Sequence, residues 1–173
     1  ALAHCILNQS TRWWLEGKKP RSGGLIIEVI NILHSRRIGA LQMPCPEFSY
    51  CGNPRPPRSR EEYANLPGFK THCKGLAKAV IQGLKALKTL SRKPKIRVVA
   101  IVGVERSPTC GVNWTSSGSG LDVDYVRGRG IFIEALEDEL REAGLTIPIL
   151  GVDLHNPEAL AEDLDRLLLS HNA

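Results

Sequence analysis

Three of the five cysteines in this 173-residue chain are placed where predicted β-strands end. Cys5 lies in the first apolar run, Cys45 follows a second run at 38–43, and Cys110 lies a few residues beyond a third at 96–104. The carboxyl ends of neighbouring parallel strands meet in one crevice, so we expect the three thiols to converge there. Widely spaced thiols that converge indicate a metal ion or an iron–sulfur cluster more than a disulfide framework.

The elements that would position these thiols alternate between strand and helix. Apolar runs predict strands at 2–7, 38–43, 96–104 and 146–152. The apolar run at 24–35 is too long and continuous for a strand and predicts a buried helix. Apolar spacing of three to four residues predicts helices at 68–90 and 129–143, and a last helix starts near 156. The predicted fold class is α/β. We expect a single three-layer domain over 1–173, with a four-stranded parallel sheet in the Rossmann-like or flavodoxin-like order 2-1-3-4. A long Pro-rich loop is expected at 44–66 and a Gly/Ser-rich loop at 105–120.

The composition is ordinary for a globular domain, with 42% apolar and 24% charged residues. No apolar run approaches the length of a membrane span, and no secretory signal is recognisable, so we expect no membrane partner. Five cysteines are an odd number and are widely spaced, which favours a reducing, cytoplasmic setting. The formal net charge of +5 favours anionic partners only weakly.

Prolines flank the second of the three cysteines. In Pro44-Cys45-Pro46-Glu47 the two rings fix the backbone on either side of the thiol, which suits a rigid ligand. Glu47 lies two residues further on and could reach the same crevice as a general acid or base. The alternative is a tight turn with an inert cysteine and a surface carboxylate.

The third cysteine lies in Ser107-Pro108-Thr109-Cys110-Gly111. Ser107 is small and polar and is placed to hydrogen-bond a substrate, and Gly111 lets the backbone approach a bulky ligand. A plain Ser-Pro turn is the alternative interpretation.

Three further residues are candidates for substrate binding. Asn8 follows the first cysteine, although it could simply shape the turn there. Trp114 offers an aromatic face for a planar heterocycle, or ordinary packing. Ser117 belongs to the Ser/Gly stretch at 116–120, which fits a substrate-covering loop better than a phosphate-binding motif.

Two cysteines remain outside this scheme. Cys51 lies six residues after Cys45 and is either a fourth ligand or a free thiol. A fourth thiolate would allow a tetrahedral zinc site. Cys73 falls near the start of a predicted helix and is expected to be structural.

The motifs around Cys5, Cys45 and Cys110 together resemble the DUF523 or thiouracil desulfurase family, most closely its desulfurase-related desulfidase branch. The resemblance extends over about residues 1–145. It implies a [4Fe-4S] cluster held by these three cysteines, with the fourth iron open to the sulfur of a thiolated substrate. Water then attacks the substrate carbon, and sulfur leaves as sulfide. The resemblance also implies that Glu47 activates water or shuttles protons and that Ser107 positions the substrate or assists proton transfer.

The chain departs from the usual family pattern after its first motif. Asn8 stands where a glycine is usual, and 12–15 (Arg-Trp-Trp-Leu) replaces an Arg-Tyr-Asp-Gly stretch. These changes bear on the substrate more than on the cluster. The sequence thus predicts an iron–sulfur-dependent desulfidase, a monomer or homodimer acting on a thiolated nucleobase, nucleoside or similar small heterocycle. A thiolated tRNA is possible as a partner but is not indicated. The alternatives are a non-catalytic iron–sulfur or sulfur-carrier protein and a structural zinc-binding protein.

Overall fold

The computed structural model describes residues 1–19, 23–119 and 122–170. Its α-helices are α1 (His4–Leu7), α2 (Ile27–Ser35), α3 (Pro46–Cys51), α4 (Arg60–Ala64), α5 (Phe69–Leu90), α6 (Ile131–Glu142) and α7 (Glu158–Leu169). Its strands are β1 (Ile101–Val104), β2 (Trp114–Ser119), β3 (Asp122–Arg127) and β4 (Ile149–Val152). No helix within these ranges is both long enough and apolar enough to cross a membrane.

Two amphipathic helices form much of the core. Helix α5 buries Cys73, Ala77 and Leu84 along one side, and α6 buries Phe132 and Leu136 against it. Residues three to four positions apart share a helix face, so this spacing gives each helix one continuous apolar stripe. The sequence predictions of helices at 68–90 and 129–143 are thereby confirmed to within a few residues at each end.

The contribution of this core can be measured with one pair of matched substitutions. Leu136→Ala should lower the free energy of unfolding by about 2–5 kcal/mol, because Leu136 is fully buried and its removal leaves a cavity. Leu90→Ala, at a side chain that is 79% exposed, should stay within about 0.5 kcal/mol of the parent chain. Urea unfolding followed by circular dichroism gives both values. Equal losses in the two variants would contradict the packing described here.

The predicted four-stranded parallel sheet of order 2-1-3-4 is wrong. In the described ranges, β1 and β4 form a parallel pair in which Ile101 lies beside Ile149. Strands β2 and β3 form a separate antiparallel hairpin that pairs Trp114 with Arg127. The structure therefore has two small sheets with helices around them rather than the central sheet of a Rossmann-like three-layer domain.

The strands predicted at 2–7 and 38–43 are replaced by isolated β-bridges. Leu2 bridges both Gln42 and Val102 in parallel, but the chain turns into α1 at His4, so the pairing on either side of Leu2 stops after one residue. A short apolar run such as 2–7 does not distinguish a strand from a buried helical turn, which explains the wrong prediction. The three segments nevertheless lie side by side, and the three cysteines follow them.

Two predicted loops contain regular structure. The Pro-rich stretch 44–66 holds α3 and α4, and α4 begins with a capping box in which Ser59 and Glu62 each bond the other's backbone N–H. The Gly/Ser-rich stretch 105–120 includes all of β2, so its second half is a strand rather than a loop. Both corrections affect the surroundings of the predicted site.

Candidate functional site

Each of the three predicted cysteine ligands is placed by a short local element. Cys5 lies in the single turn of α1, immediately after the bridged segment at Leu2. Cys45 is the N-cap of α3, and its Sγ accepts the backbone N–H of Phe48 at 3.4 Å. Cys110 is buried in the turn that follows β1. These elements are short, and each is anchored directly to the core.

The three thiols are close enough to influence one another. Burial raises the pKa of Cys5 to about 11, that of Cys45 to about 12, and that of Cys110 well above its usual value. Beyond burial, Cys5 and Cys45 raise the pKa of Cys110 further, and Cys5 also raises that of Cys45. The thiols that the sequence predicted to converge therefore form one electrostatic group.

A buried carboxylate lies beside these thiols and accepts three hydrogen bonds. Thr109 Oγ1 donates to Glu47 Oε1 at 2.7 Å. Arg55 Nη2 and Tyr63 OH donate to Glu47 Oε2 at 3.2 and 3.3 Å. Glu47 is only 8% exposed, and its contacts give both carboxylate oxygens a partner, as burial of such a group requires. The alternative of a surface carboxylate is therefore wrong. Glu47 also lies near the thiols, since it raises the pKa of Cys5, Cys45 and Cys110.

Arg55, which bonds the Glu47 carboxylate, is itself held by three further hydrogen bonds. Its guanidinium also donates to Thr11 O at 2.8 Å, Asn53 Oδ1 at 2.6 Å and Gly52 O at 3.2 Å. Burial works against its charge, but the Glu47 carboxylate and then other groups outweigh burial, so the pKa of Arg55 is raised. A buried ion pair held by this many additional bonds keeps its geometry.

Ser107 is placed beside the third cysteine. Its Oγ accepts the backbone N–H of Cys110 at 3.0 Å and that of Thr109 at 3.3 Å. The Ser-Pro-Thr-Cys-Gly segment therefore folds back on Ser107, which brings the hydroxyl next to the Cys110 turn. The structure thus brings Glu47 and Ser107, the two predicted catalytic residues, to the same cysteine group.

The three predicted substrate-binding residues are more scattered. Asn8 caps the short 3₁₀ helix at 9–11, where its Oδ1 accepts Ser10 N at 3.1 Å. Trp114 is 41% exposed and lines a cavity of about 620 Å³. The Arg127 guanidinium lies over its ring, 5.3 Å from the ring centre. Ser117 lies in the middle of β2, opposite Asp124. Their roles in binding a substrate stay predictions.

The remaining two cysteines have other surroundings. Arg58 Nη1 lies 3.8 Å from Cys51 Sγ. Cys73 is fully buried in α5, and burial, followed by the influence of Glu47, raises its pKa to about 12. Within 1–19, 23–119 and 122–170, no three His, Cys, Asp or Glu side chains are grouped to hold a single metal ion.

The donor set fits an iron–sulfur cluster better than a single ion. Cluster irons each take their own thiolate, so the ligands stand apart by the width of the cluster. Cys5, Cys45 and Cys110 lie near enough to influence one another and could supply those thiolates. Cys45 Sγ also accepts the backbone N–H of Phe48. Hydrogen bonds to ligand sulfur are a common means of tuning such clusters.

Sequence reasoning missed Arg55, Tyr63 and Thr109. Arg55 lies between Pro54 and Pro56, and a charged residue held between two prolines was an available signal that its guanidinium has a fixed task. Tyr63 lies in the stretch that the sequence predicted as a Pro-rich loop, and it gave no signal there. Thr109 directly precedes Cys110, and its sequence position has no signal apart from the motif.

Comparison with known proteins adds independent information. Residues 18–152 match the family described as "Putative 2-thiouracil desulfurase", a range that includes Cys45 and Cys110 and starts after Cys5. An uncharacterized protein of Methanocaldococcus jannaschii is 29% identical over 146 residues, which cover 84% of this chain and 80% of that protein. The solved structure of a [4Fe-4S]-dependent thiouracil desulfidase, TudS, aligns with a TM-score of 0.55 at 20% identity, over 94% of this chain and 96% of that one. This likeness concerns the fold.

Proposed function

Because the chain belongs to the 2-thiouracil desulfurase family, we propose that it is a [4Fe-4S]-dependent desulfidase that removes sulfur as sulfide from a thiolated heterocycle. The observation that carries the proposal is the buried Glu47, hydrogen-bonded by Thr109 and Arg55, beside Cys110, whose pKa is raised by burial and then by Cys5 and Cys45. A plain structural cluster or a sulfur carrier has no need of a buried carboxylate at that position.

Cys5, Cys45 and Cys110 would hold the cluster. When bound by three thiolates, it would supply an iron with an open position, which acts as a Lewis acid toward the substrate's sulfur. Thiolates are the binding form, so loading the site releases the protons that burial holds on these thiols.

The protein's own residues would manage the protons of the reaction. The conversion C=S + H₂O → C=O + H₂S moves protons only and needs no oxidant or reductant. Glu47 takes a proton from the attacking water, while Arg55 and Tyr63 hold its Oε2 in place. Burial, and then Glu47, raises the pKa of Tyr63, which keeps its hydroxyl protonated as a donor. Ser107 lies beside Cys110 and returns a proton on the side of the departing sulfur.

The proposed cellular compartment and substrate are consistent with an iron–sulfur desulfidase. All five cysteines are free, which suits the reducing cytoplasm in which iron–sulfur proteins persist. We propose a small thiolated nucleobase or nucleoside as substrate, and a monomer or homodimer as the acting form.

A sulfide-release assay tests the proposal. Protein reconstituted anaerobically with iron and sulfide should release sulfide from 2-thiouracil, 4-thiouracil or 4-thiouridine in many turnovers, and the desulfurated base should accumulate in equal amount. The iron-free protein, prepared in parallel, is the control and should release none. If the cluster-loaded protein binds these compounds without turnover, the chain is a sulfur-binding protein and not an enzyme. Colourless protein with stoichiometric zinc would exclude the cluster.

A further inference from the structure

We propose that Thr109 is a proton-relay residue that joins Glu47 to Ser107. This inference rests on the proposed function, because it concerns how the two ends of the same site exchange a proton. The observation behind it is an unbroken chain of oxygen atoms, Glu47 Oε1, Thr109 Oγ1 and Ser107 Oγ, with neighbouring separations of 2.7 and 3.4 Å.

The Glu47 end of the chain is the shorter link. Thr109 Oγ1 lies 2.7 Å from Glu47 Oε1 and bonds this oxygen. Arg55 and Tyr63 both bond the other carboxylate oxygen, Oε2. A carboxylate can only accept, so the Thr109 hydroxyl must donate in this bond. Thr109 is 1% exposed, which limits replacement of this link by solvent.

The Ser107 end has a defined direction as well. Ser107 Oγ already accepts the backbone N–H groups of Cys110 and Thr109, at 3.0 and 3.3 Å. With its lone pairs so engaged, the hydroxyl proton is free to be donated, and Thr109 Oγ1 is an acceptor 3.4 Å away. Catalytic hydrogen bonds often tighten when substrate binds, and this longer link is the one expected to shorten.

The chain can run in either direction by reversing its hydrogen bonds. In the resting direction, Ser107 donates to Thr109 and Thr109 donates to the Glu47 carboxylate. Once Glu47 has taken a proton from water, it donates to Thr109 Oγ1. Ser107 gives its own proton to the departing sulfur, and Thr109 passes its proton to the lone pair that this transfer frees on Ser107 Oγ. One proton enters at Glu47 and one leaves at Ser107, so each hydroxyl ends with the proton count it started with.

Only a hydroxyl can serve at the middle position, because the link must accept one hydrogen bond and donate another. The Thr109 hydroxyl also lies 3.6 Å from Cys110 Sγ, which gives it a second acceptor while its bonds reverse. Thr109→Val keeps the shape and removes the hydroxyl, whereas Thr109→Ser keeps the hydroxyl and removes a methyl group. The two variants therefore separate the relay from packing.

The first test compares sulfide release by these variants after cluster loading. Thr109→Val should keep its iron and its KM but lose about 100-fold in kcat, the scale of general acid–base catalysis. Thr109→Ser should restore most of kcat. Thr115→Val is the matched control, because Thr115 is 2% exposed and its hydroxyl bonds Ser107 O, at 3.1 Å, rather than Ser107 Oγ. It should stay within about threefold of the parent.

The second test needs no activity. In iron-free protein, the infrared carboxyl bands of Glu47, assigned by difference from Glu47→Gln, should shift in Thr109→Val and stay in place in Thr109→Ser and Thr115→Val. An unshifted band in Thr109→Val overturns the relay even if no thiolated compound is a substrate. If the parent chain releases sulfide and Thr109→Val equals it, the relay is overturned while the proposed function stands.

Discussion

Replacing Cys5, Cys45 or Cys110 with Ala should abolish iron binding on anaerobic reconstitution. Each thiolate would hold a different iron, so the loss of one leaves two irons without a protein ligand. The parent chain should take up about four irons with broad visible absorbance, and each variant should stay below about one. Colorimetric iron analysis and the visible spectrum measure this directly.

The other two cysteines supply the controls. Cys73→Ala and Cys51→Ser should keep the parent iron content, because Cys73 is buried within α5 and Cys51 has the Arg58 guanidinium as its sulfur's neighbour. Loss of iron in Cys51→Ser alone would add a fourth protein thiolate and close the site. The chain would then be a structural or electron-transfer protein. Full iron retention in Cys5→Ala, Cys45→Ala or Cys110→Ala would show that the ligand assignment is wrong.

The convergence of the thiols was predictable although the sheet was not. The strand-end rule needs neighbouring segments that run side by side in parallel, and the bridges of Leu2 to Gln42 and Val102 provide this without a full ladder. What local sequence could not reveal is how many residues each ladder holds. That number depends on where α1 interrupts the first segment, at His4, and the apolar run 2–7 has no sign of it.

The proton network was hidden for a different reason. Thr109 and Glu47 are 62 residues apart in the chain, and their bond exists only because α3 and the Cys110 turn are folded against the same side of the core. Sequence spacing indicated Glu47 and Ser107 as candidates individually, through their neighbouring cysteines. The prolines beside Arg55 indicate a fixed backbone, but the bonds that Arg55 and Thr109 make to Glu47 become recognisable only from distances.

Glu47→Gln should leave the cluster in place and lower kcat for sulfide release by at least about 100-fold. The amide has nearly the same shape and can still accept from Arg55 and Tyr63, but it cannot take a proton from water. Iron content, measured beside the rate, separates this effect from loss of the cluster. Glu139→Gln is a matched control, because Glu139 is also 8% exposed but lies in α6. Its rate should equal that of the parent.

The same substitution should also weaken the fold, which gives it a second readout. Removing the Glu47 charge leaves the buried Arg55 guanidinium without its carboxylate, and breaking a buried ion pair in this way costs about 3–5 kcal/mol. Urea unfolding of the iron-free protein measures this loss, and the amide oxygen should recover part of it by hydrogen bonding. Unchanged turnover with a lowered unfolding free energy would make Glu47 a structural anchor for Arg55 and remove it from the reaction. Unchanged stability with lost turnover would support the catalytic role of Glu47. It would also show that the ion pair with Arg55 does not stabilise the fold.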